Sequence, residues 1–495
     1  MRDIRNIFLA LSVLVCASIG SPPAAAGDDD SYDIIIRYRF AEDGEDLISR
    51  LQKVVIGEIE LLRDDPILQT MTFRIPSQNI CEYDCVAEII DEAILNGWVI
   101  WTELDLVVDS VGGQTGSLWV SGVGVDADGY RDQYANDLLD LDAAHRRSTG
   151  KGVLVAVVDT GIDENHEAVG SRVSPHGVSV INDYPTPYDE NSSNPEAINA
   201  MRGHGTFVAG LISLVAPDAG LLPIRVLDSD GLGTTDSGAA GIVEAVERGA
   251  HVITLAFGTP TQSLVLNQAI QYANDSGVIV FAASGNDGEL GCYYPASNPS
   301  VMNVAACDVF EEFETTSNWC DGVDVISPGS MEILFGMVDD RKSVIGPVPG
   351  ESGSSEYKAG RGTSFAVGFA AGMAALIRAQ HPEWPNAETE ASEIPLIIGE
   401  LMSDITSHPV VALPDKAGVR SRPSASVATG FGPVAPEPGD VNGDGCVNSA
   451  DLGLVLASFG QQPRSPGLHL ADLDGDFVVG PSDLGMLLAL WTPCP

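Results

Sequence analysis

Short apolar runs alternate with helix-like segments through the middle of the chain, from about residue 138 onwards. The runs have the length and composition of buried strands, and the segments between them are long enough for helices. This alternation indicates a parallel sheet with helices on both faces. The sequence therefore predicts strands at 153–158, 221–226, 252–256 and 278–282, and helices at 236–248, 263–276 and 367–379.

Three short motifs lie at the element boundaries of this region. Asp159 directly follows the strand at 153–158, where α/β sheets place ligands and catalytic groups. His204 lies between two glycines at the start of an apolar helical run. Ser364 begins a helix of small residues, and a helix N-terminus favours developing negative charge. Singly, these residues could be a turn, a packed histidine and a helix N-cap.

Taken in the order Asp, His, Ser, the three residues predict a catalytic triad. A serine hydroxyl is a poor nucleophile until a base accepts its proton, and that base needs an anion to fix its tautomer. A fourth group is present, because Asn286 follows the strand at 278–282. An amide there can donate to the oxyanion of a tetrahedral intermediate, although it could also be a turn residue beside Gly285.

The segments VAVVDTGID, GHGTFVAG, SGN and GTSFA resemble the Asp, His, oxyanion Asn and Ser motifs of the subtilisin-like serine proteases, or subtilases, in the family's order. The resemblance covers roughly residues 138–420 and implies a doubly wound α/β fold, with a catalytic domain at 125–420. It also implies peptide-bond hydrolysis through an acyl-enzyme. Ser364 would be the nucleophile, His204 the general base and then acid, Asp159 its orienting anion, and Asn286 an oxyanion donor with the Ser364 amide.

Three positions depart from the family's pattern. Phe207 stands where a second histidine is usual, and this change should be tolerated because that side chain does no chemistry. Ala256-Phe257-Gly258 replaces Ser-Leu-Gly at the substrate edge, and Gly368 replaces the usual proline. We expect these last two changes to alter the S1 wall or to loosen the helix packing.

The N-terminal part of the chain is predicted to contain an export signal and a small domain. Residues 1–26 have a charged start, a short apolar run and small residues for cleavage, which indicates a signal peptide and a secreted protein. Residues 27–115 are predicted to form an α/β domain that weakly resembles the subtilase propeptide, a chaperone and inhibitor removed by self-cleavage. A permanent accessory domain is the alternative. Its predicted strands lie at 32–40, 71–75 and 98–108, and its helices at 45–63 and 85–96.

The composition limits the classes of partner. The 70 acidic and 25 basic residues give a formal net charge of −45, which argues against binding nucleic acid through basic patches. No stretch after the signal is long and apolar enough for a membrane span. Of the eight cysteines, Cys16 would leave with the signal. The remaining odd number allows disulfides in an exported chain but leaves their pairing open.

Two calcium-loop patterns lie near the C-terminus, after a Pro-, Ser- and Ala-rich linker at 421–438. Residues 440–451 carry oxygen ligands at alternating positions around a glycine, and 472–483 repeat the spacing. The second loop departs from the pattern at Phe477 and Gly480. The predicted Ca²⁺ ligands are Asp440, Asn442, Asp444, Cys446 (by its backbone carbonyl), Asn448 and Asp451 in the first loop, and Asp472, Asp474, Asp476, Val478 and Asp483 in the second.

The paired loops of residues 439–495 resemble a dockerin domain, a small α-helical module. The resemblance implies structural Ca²⁺ and attachment to a cohesin-type or cell-surface partner. Asp- and Gly-rich turns without metal are the alternative. The sequence as a whole predicts a secreted serine endopeptidase that acts on proteins or peptides and is tethered by this module. A catalytically inactive subtilase-fold scaffold is the second hypothesis, and an esterase or amidase is disfavoured because no GxSxG elbow is present.

Overall fold

The structure is a computed structural model that describes most of the chain between residues 31 and 382. The described residues are 31–52, 59–76, 93–94, 96, 99–110, 119–182, 184–191, 199–320, 322–334, 337–350, 353–380, 382, 452, 484 and 488. The predicted signal peptide, the linker at 421–438 and every predicted calcium ligand lie outside them. None of the helices within these ranges is long and apolar enough to cross a membrane.

The N-terminal part is a four-stranded antiparallel sheet with a helix on one face. One face of β1 packs on the helix through Ile36, while Ile35 points the other way into the core of the following domain. The strands have the order β2-β3-β1-β4. The elements are β1 (Ser31–Tyr38), α1 (Ala41–Leu51), β2 (Glu60–Asp65), β3 (Thr70–Pro76) and β4 (Val99–Leu104).

The strands predicted at 32–40 and 71–75 are confirmed as β1 and β3, but the helix predicted at 45–63 is wrong at residues 60–63. The described helix ends at Leu51, and residues 60–63 belong to β2, which pairs with β3. Pairing in the sheet overrides the helix propensity of its Glu, Leu and Arg residues. The helix predicted at 85–96 lies almost entirely outside the described residues.

The rest of the described chain forms the larger α/β domain. Its elements in chain order are β5 (Val107–Ser110), β6 (Trp119–Val120), α2 (Ala127–Arg131), α3 (Tyr134–Leu138), α4 (Leu141–His145), β7 (Leu154–Asp159), β8 (Val178–Ser179), α5 (His204–Val215), β9 (Gly220–Arg225), β10 (Leu232–Thr234), α6 (Thr235–Glu247), β11 (Val252–Leu255), β12 (Phe257–Gly258), α7 (Leu264–Asp275), β13 (Ile279–Ala283), β14 (Met302–Cys307), β15 (Val325–Pro328), β16 (Glu332–Leu334), β17 (Met337–Asp339), β18 (Val344–Pro349), β19 (Ser355–Gly360) and α8 (Thr363–Gln380).

A seven-stranded parallel sheet with the order β15-β14-β13-β11-β7-β9-β8 is the centre of this domain. Strands β8 and β9 lie on one side of β7, and β11, β13, β14 and β15 lie on the other. The fold is therefore doubly wound, as the family resemblance implies. Open sheets of this kind bind ligands at the carboxyl ends of the strands where the direction of winding changes. Here that place is the edge shared by β7 and β11.

The alternation of side chains along β7 explains its unbroken apolar sequence. Val155 and Val157 join the core cluster that contains α5 and α8, whereas Ala156 and Val158 join the cluster that contains α6 and α7. A parallel strand buried on both faces reads as a continuous apolar run. The strands predicted at 153–158, 221–226, 252–256 and 278–282 are confirmed to within two residues; β14 and β15 were missed.

Helices α5 and α8 pack against each other at Gly368. A Cβ atom at this glycine would lie 3.1 Å from both the Leu211 Cβ and the Val208 carbonyl oxygen. Because Gly368 has no side chain, the two helices can approach each other closely. The packing here is therefore tight, whereas the replacement of the usual proline by glycine had suggested looser packing. A disulfide joins Cys292 and Cys320, which ties the chain after β13 to the segment before β15.

Candidate active site

The four predicted site residues come together at the carboxyl edge of the parallel sheet. Asp159 is the last residue of β7, His204 is the first residue of α5, and Ser364 lies in the first turn of α8. Asn286 follows β13 by three residues. The strand ends and helix N-termini that carry these groups face one another because the helices cross back over the sheet from its carboxyl edge.

His204 and Asp159 form a fully buried hydrogen-bonded pair. The His204 Nδ1 atom lies 2.8 Å from Asp159 Oδ1 and 2.9 Å from Oδ2. A carboxylate can only accept hydrogen bonds, so the proton of the neutral imidazole belongs on Nδ1. The lone pair is then on Nε2, which is buried and has no hydrogen-bond partner within the described part of the chain. This tautomer is the one that a general base requires.

The Ser364 hydroxyl donates to the Ala256 carbonyl oxygen at 3.2 Å. Ser364 is fully buried, and Ala256 directly follows β11, beside β7. To act as a nucleophile, the serine must turn its proton from this carbonyl towards a base. Its place in the first turn of α8 favours negative charge on the oxygen.

The Asn286 side chain is anchored through its amide oxygen. Oδ1 accepts hydrogen bonds from the Thr363 backbone N–H at 2.8 Å and from the Thr363 hydroxyl at 3.1 Å. Because the amide group is planar, fixing the oxygen turns the Nδ2 amino group away from Thr363. Thr363 precedes Ser364, so these two hydrogen bonds set the position of the amide relative to the serine. The sequence reasoning missed Thr363, although its place in the GTS motif was a usable signal.

Aromatic rings enclose the histidine. Phe207 stacks on Phe365 with a centroid separation of 4.1 Å, and the Trp119 ring centre lies 6.1 Å from that of His204. Phe207 is fully buried. Phe207 therefore contributes to packing at the position where the subtilases usually have a second histidine. This agrees with the expectation that the side chain at this position takes no part in the reaction.

Strand β5, which follows the N-terminal sheet along the chain, lies in a groove near Ala256, the residue whose carbonyl accepts the Ser364 hydroxyl. Strand β5 lies between β10 and β12 and is antiparallel to both. Within it, Val108 is fully buried in the same apolar cluster as Phe257, and the Ser110 backbone N–H donates to the Gly231 carbonyl at 2.8 Å. Main-chain pairing of an extended segment with exposed strand edges is a common mode of peptide binding. The altered segment Ala256-Phe257-Gly258 forms one edge of this groove.

Two carboxylates just before β5 cap helices of the α/β domain. Glu103 accepts the backbone N–H groups of Leu264 at 2.7 Å and Val265 at 2.8 Å, at the start of α7. Asp105 accepts the Asp236 backbone N–H at 2.9 Å, at the start of α6. Burial, and then the charge of Asp236, raise the pKa of Asp105 to about 7. Both side chains accept hydrogen bonds from N–H groups at a helix N-terminus that have no partner within the helix, so both caps hold the N-terminal sheet on these helices.

Asp189 is a second buried carboxylate near Asp159, and the sequence reasoning missed it. Burial raises its pKa to about 6, while hydrogen bonds from Gly203 and Thr206 and the charge of Arg225 act in the opposite direction. It lies in a segment without a recognisable motif, so no sequence signal marked it. Among the described residues, no group of three or more His, Cys, Asp or Glu side chains is placed to hold a metal ion.

Comparison with known proteins gives consistent matches to the α/β domain. A sequence model described as "Subtilase family" matches residues 150–404. Subtilisin BL of Lederbergia lenta is 36% identical over 256 residues, which cover 50% of this chain and 84% of that protein. Subtilisin of Bacillus pumilus is 34% identical over 269 residues, which cover 52% of this chain and 87% of that protein.

Two solved structures share the fold. Fervidolysin of Fervidobacterium pennivorans, a keratinolytic enzyme related to subtilisin, superposes with a TM-score of 0.62 at 20% identity, over 82% of this chain and 62% of the fervidolysin chain. A protease of Pseudoalteromonas arctica superposes with a TM-score of 0.50 at 26% identity, over 61% of this chain and 98% of that chain. At 20% identity, the likeness to fervidolysin shows the fold alone.

Proposed function

Because the chain belongs to the subtilase family of serine endopeptidases, we propose that Asp159, His204 and Ser364 are its catalytic triad. The observation that carries this proposal is the buried His204–Asp159 pair, which leaves the lone pair of Nε2 without a hydrogen-bond partner among the described residues. The His204 ring centre lies 5.8 Å from that of Phe365, the residue that follows Ser364 at the start of α8. Ser364 Oγ attacks the substrate carbonyl while Nε2 accepts its proton. His204 then returns that proton to the leaving amine, and water hydrolyses the acyl-enzyme by the reverse route.

Asn286 stabilises the oxyanion in this proposal. The carbonyl oxygen of the substrate becomes negative in the tetrahedral intermediate and accepts hydrogen bonds from the Asn286 amino group and the Ser364 backbone N–H. The bonds from Thr363 hold the Asn286 amide oxygen, so the amino group is oriented before the substrate arrives. Preorganised donors of this kind act on the transition state more than on the bound substrate.

The N-terminal sheet and β5 form a propeptide-like inhibitor in this proposal. Strand β5 fills the substrate groove, and Ser364 and His204 are both fully buried while it is there. Glu103 and Asp105 add helix caps that hold the inhibitor in place. The enzyme would cut its own chain just after β5, within residues 110–125, and so open the groove.

Substitution Ser364→Ala tests the triad and the self-cleavage together. We expect the wild type to be shortened at 110–125 and to digest casein. Ser364→Ala should stay full length and lose activity by about 10⁴-fold or more, because the nucleophile is gone. Intact mass and casein digestion measure both.

Asp308→Asn is the matched control for this experiment. Asp308 accepts the backbone N–H groups of Phe310 and Glu312 in the turn after β14, and an amide can still accept there. It should be processed and active like the wild type. A wild type that folds but neither cuts itself nor digests casein would contradict the proposal and favour the inactive scaffold.

The C-terminal proposal rests on the sequence of the two loops. Residues 440–451 and 472–483 would bind structural Ca²⁺ and form a dockerin-like module that attaches the secreted enzyme to a cohesin-type or cell-surface partner. Titration of the full Ser364→Ala chain with Ca²⁺ in a calorimeter should give heat of binding. Asp440→Ala with Asp472→Ala should remove it. Equal heat with and without these two carboxylates would exclude the loops as the binding site.

A further inference from the structure

We propose that Asp189 is a positioning residue that fixes the Asp159 turn and the N-terminus of the His204 helix relative to each other. The proposal rests on the triad proposed above. Asp189 lies between β8 and α5 and touches neither His204 nor Ser364 through any bond that the described residues record. It would therefore act through the backbone that carries the triad.

Asp189 accepts four hydrogen bonds in a buried place. Its Oδ1 atom accepts the Gly203 backbone N–H at 2.9 Å and the Thr160 hydroxyl at 3.3 Å. Its Oδ2 atom accepts the Thr206 hydroxyl at 2.8 Å and the Thr206 backbone N–H at 3.3 Å. Only 3% of Asp189 is exposed, so water cannot replace these bonds.

The four donors flank the two catalytic groups. Thr160 is the residue after Asp159, and Gly203 is the residue before His204. The Thr160 hydroxyl also accepts the Gly205 backbone N–H at 3.0 Å, from the residue after His204. Asp189 and Thr160 thus join the end of β7 to both sides of His204. The 2.8 Å bond between His204 and Asp159 depends on the relative position of these two segments.

The conformation of Gly203 shows why such a tie is needed. Gly203 has a φ of 99°, in the left-handed region that favours glycine, and it is the N-cap of α5 without a capping side chain of its own. Glycine has more conformational freedom to lose than any other residue. Asp189 supplies the missing acceptor from outside the helix and so fixes where α5 begins.

A carboxylate suits this position better than an amide. Both of its oxygens accept, whereas an asparagine has one accepting edge and one donating edge, and the donating edge would face an N–H donor. The negative charge of Asp189 is balanced by the positive charge of the buried Arg225. The Arg225 guanidinium lies 3.7 Å from the centre of the Tyr184 ring and donates a hydrogen bond to the carbonyl of Tyr188, the residue before Asp189. Arg225 offsets the cost of a second anion near Asp159.

Three substitutions in the full chain test the proposal. Asp189→Asn should lower kcat by about 10- to 100-fold, since small displacements of catalytic groups have effects of this size. KM should stay within about two-fold, because the groove between β10 and β12 is untouched. Thr160→Val, which keeps the shape but loses the hydroxyl, should lower kcat in the same way, and Thr160→Ser should restore most of it.

The outcomes separate this proposal from the proposed function. Wild-type activity that disappears in Ser364→Ala establishes the triad first, and Asp308→Asn provides the control for an Asp-to-Asn change elsewhere. If Asp189→Asn does not fold, the Thr160 pair decides the question alone. The proposal is overturned if folded Asp189→Asn or Thr160→Val has the kcat of the wild type. It is equally overturned if Thr160→Ser is as slow as Thr160→Val, or if the loss lies in KM.

Discussion

At the scale of single residues, the site consists of charged and polar groups whose freedom is removed by their neighbours. Asp159 orients His204, and Thr363 orients Asn286. Each oriented group is itself fully or almost fully buried. Buried polar groups with fixed partners need no reorganisation when charge develops in the reaction.

Asn286→Ala tests the oxyanion role. Loss of one donor to the oxyanion should lower kcat by about 10²- to 10³-fold, while KM changes little because the donor acts on the transition state. Thr363→Val is the companion variant, because it removes the hydroxyl bond to Asn286 and keeps the backbone N–H bond; a smaller loss is expected. Steady-state kinetics on a peptide substrate measure both, and an Asn286→Ala enzyme with wild-type kcat would refute the role.

At the scale of elements, the contact between the N-terminal sheet and the α/β domain depends on two helix N-termini. Glu103 caps α7, and Asp105 caps α6. The Asp236 side chain at the start of α6 also receives the Arg63 guanidinium at 2.6 Å and the Thr72 hydroxyl at 2.6 Å. The contact therefore brings two carboxylates, Asp105 and Asp236, together with one cation.

This arrangement predicts that the contact weakens as the pH rises. Burial and the charge of Asp236 raise the pKa of Asp105 to about 7 in the folded, uncleaved chain. The folded chain therefore keeps a proton on Asp105 that a solvated aspartate would release near pH 4. Its contribution is present below about pH 4 and is lost as the pH passes through about 7. Asp109 acts in the same direction, because burial and Asp287 raise its pKa to about 6.

Thermal unfolding of the uncleaved Ser364→Ala chain between pH 5 and pH 8 measures this effect. In the wild-type sequence at position 105, the free energy of unfolding should fall as the pH rises over this range. Adding Asp105→Asn should reduce that fall by up to a few kcal/mol, since each unit of pKa shift corresponds to about 1.4 kcal/mol. The amide oxygen can still accept from the Asp236 backbone N–H and the Thr235 hydroxyl. An unchanged pH dependence would show that Asp105 does not titrate in this range.

At the scale of the whole molecule, the sequence predicts the parts that depend on local order along the chain. The strand at 153–158 and the helix at 263–276 follow from periodicity, and motifs at element ends predict the four candidate site residues. Asp189 could not be predicted, because its partners lie 14, 17 and 29 residues away and meet only through the fold. The prediction of a helix at β2 fails for a related reason. Strand β2 forms because it pairs with β3, and the residues of β2 alone do not show this pairing.

The placement of β5 has a consequence for how the protein would switch on. While β5 is part of the same chain as the groove, its effective concentration there is in the millimolar range or above, whatever the amount of protein. Once the chain is cut beyond Ser110, the strand and its sheet are a separate molecule, and occupancy of the groove follows their bulk concentration. If the proposed cleavage takes place, dilution would favour release of the strand from the groove, and a protein that is silent at high concentration would become active at low concentration.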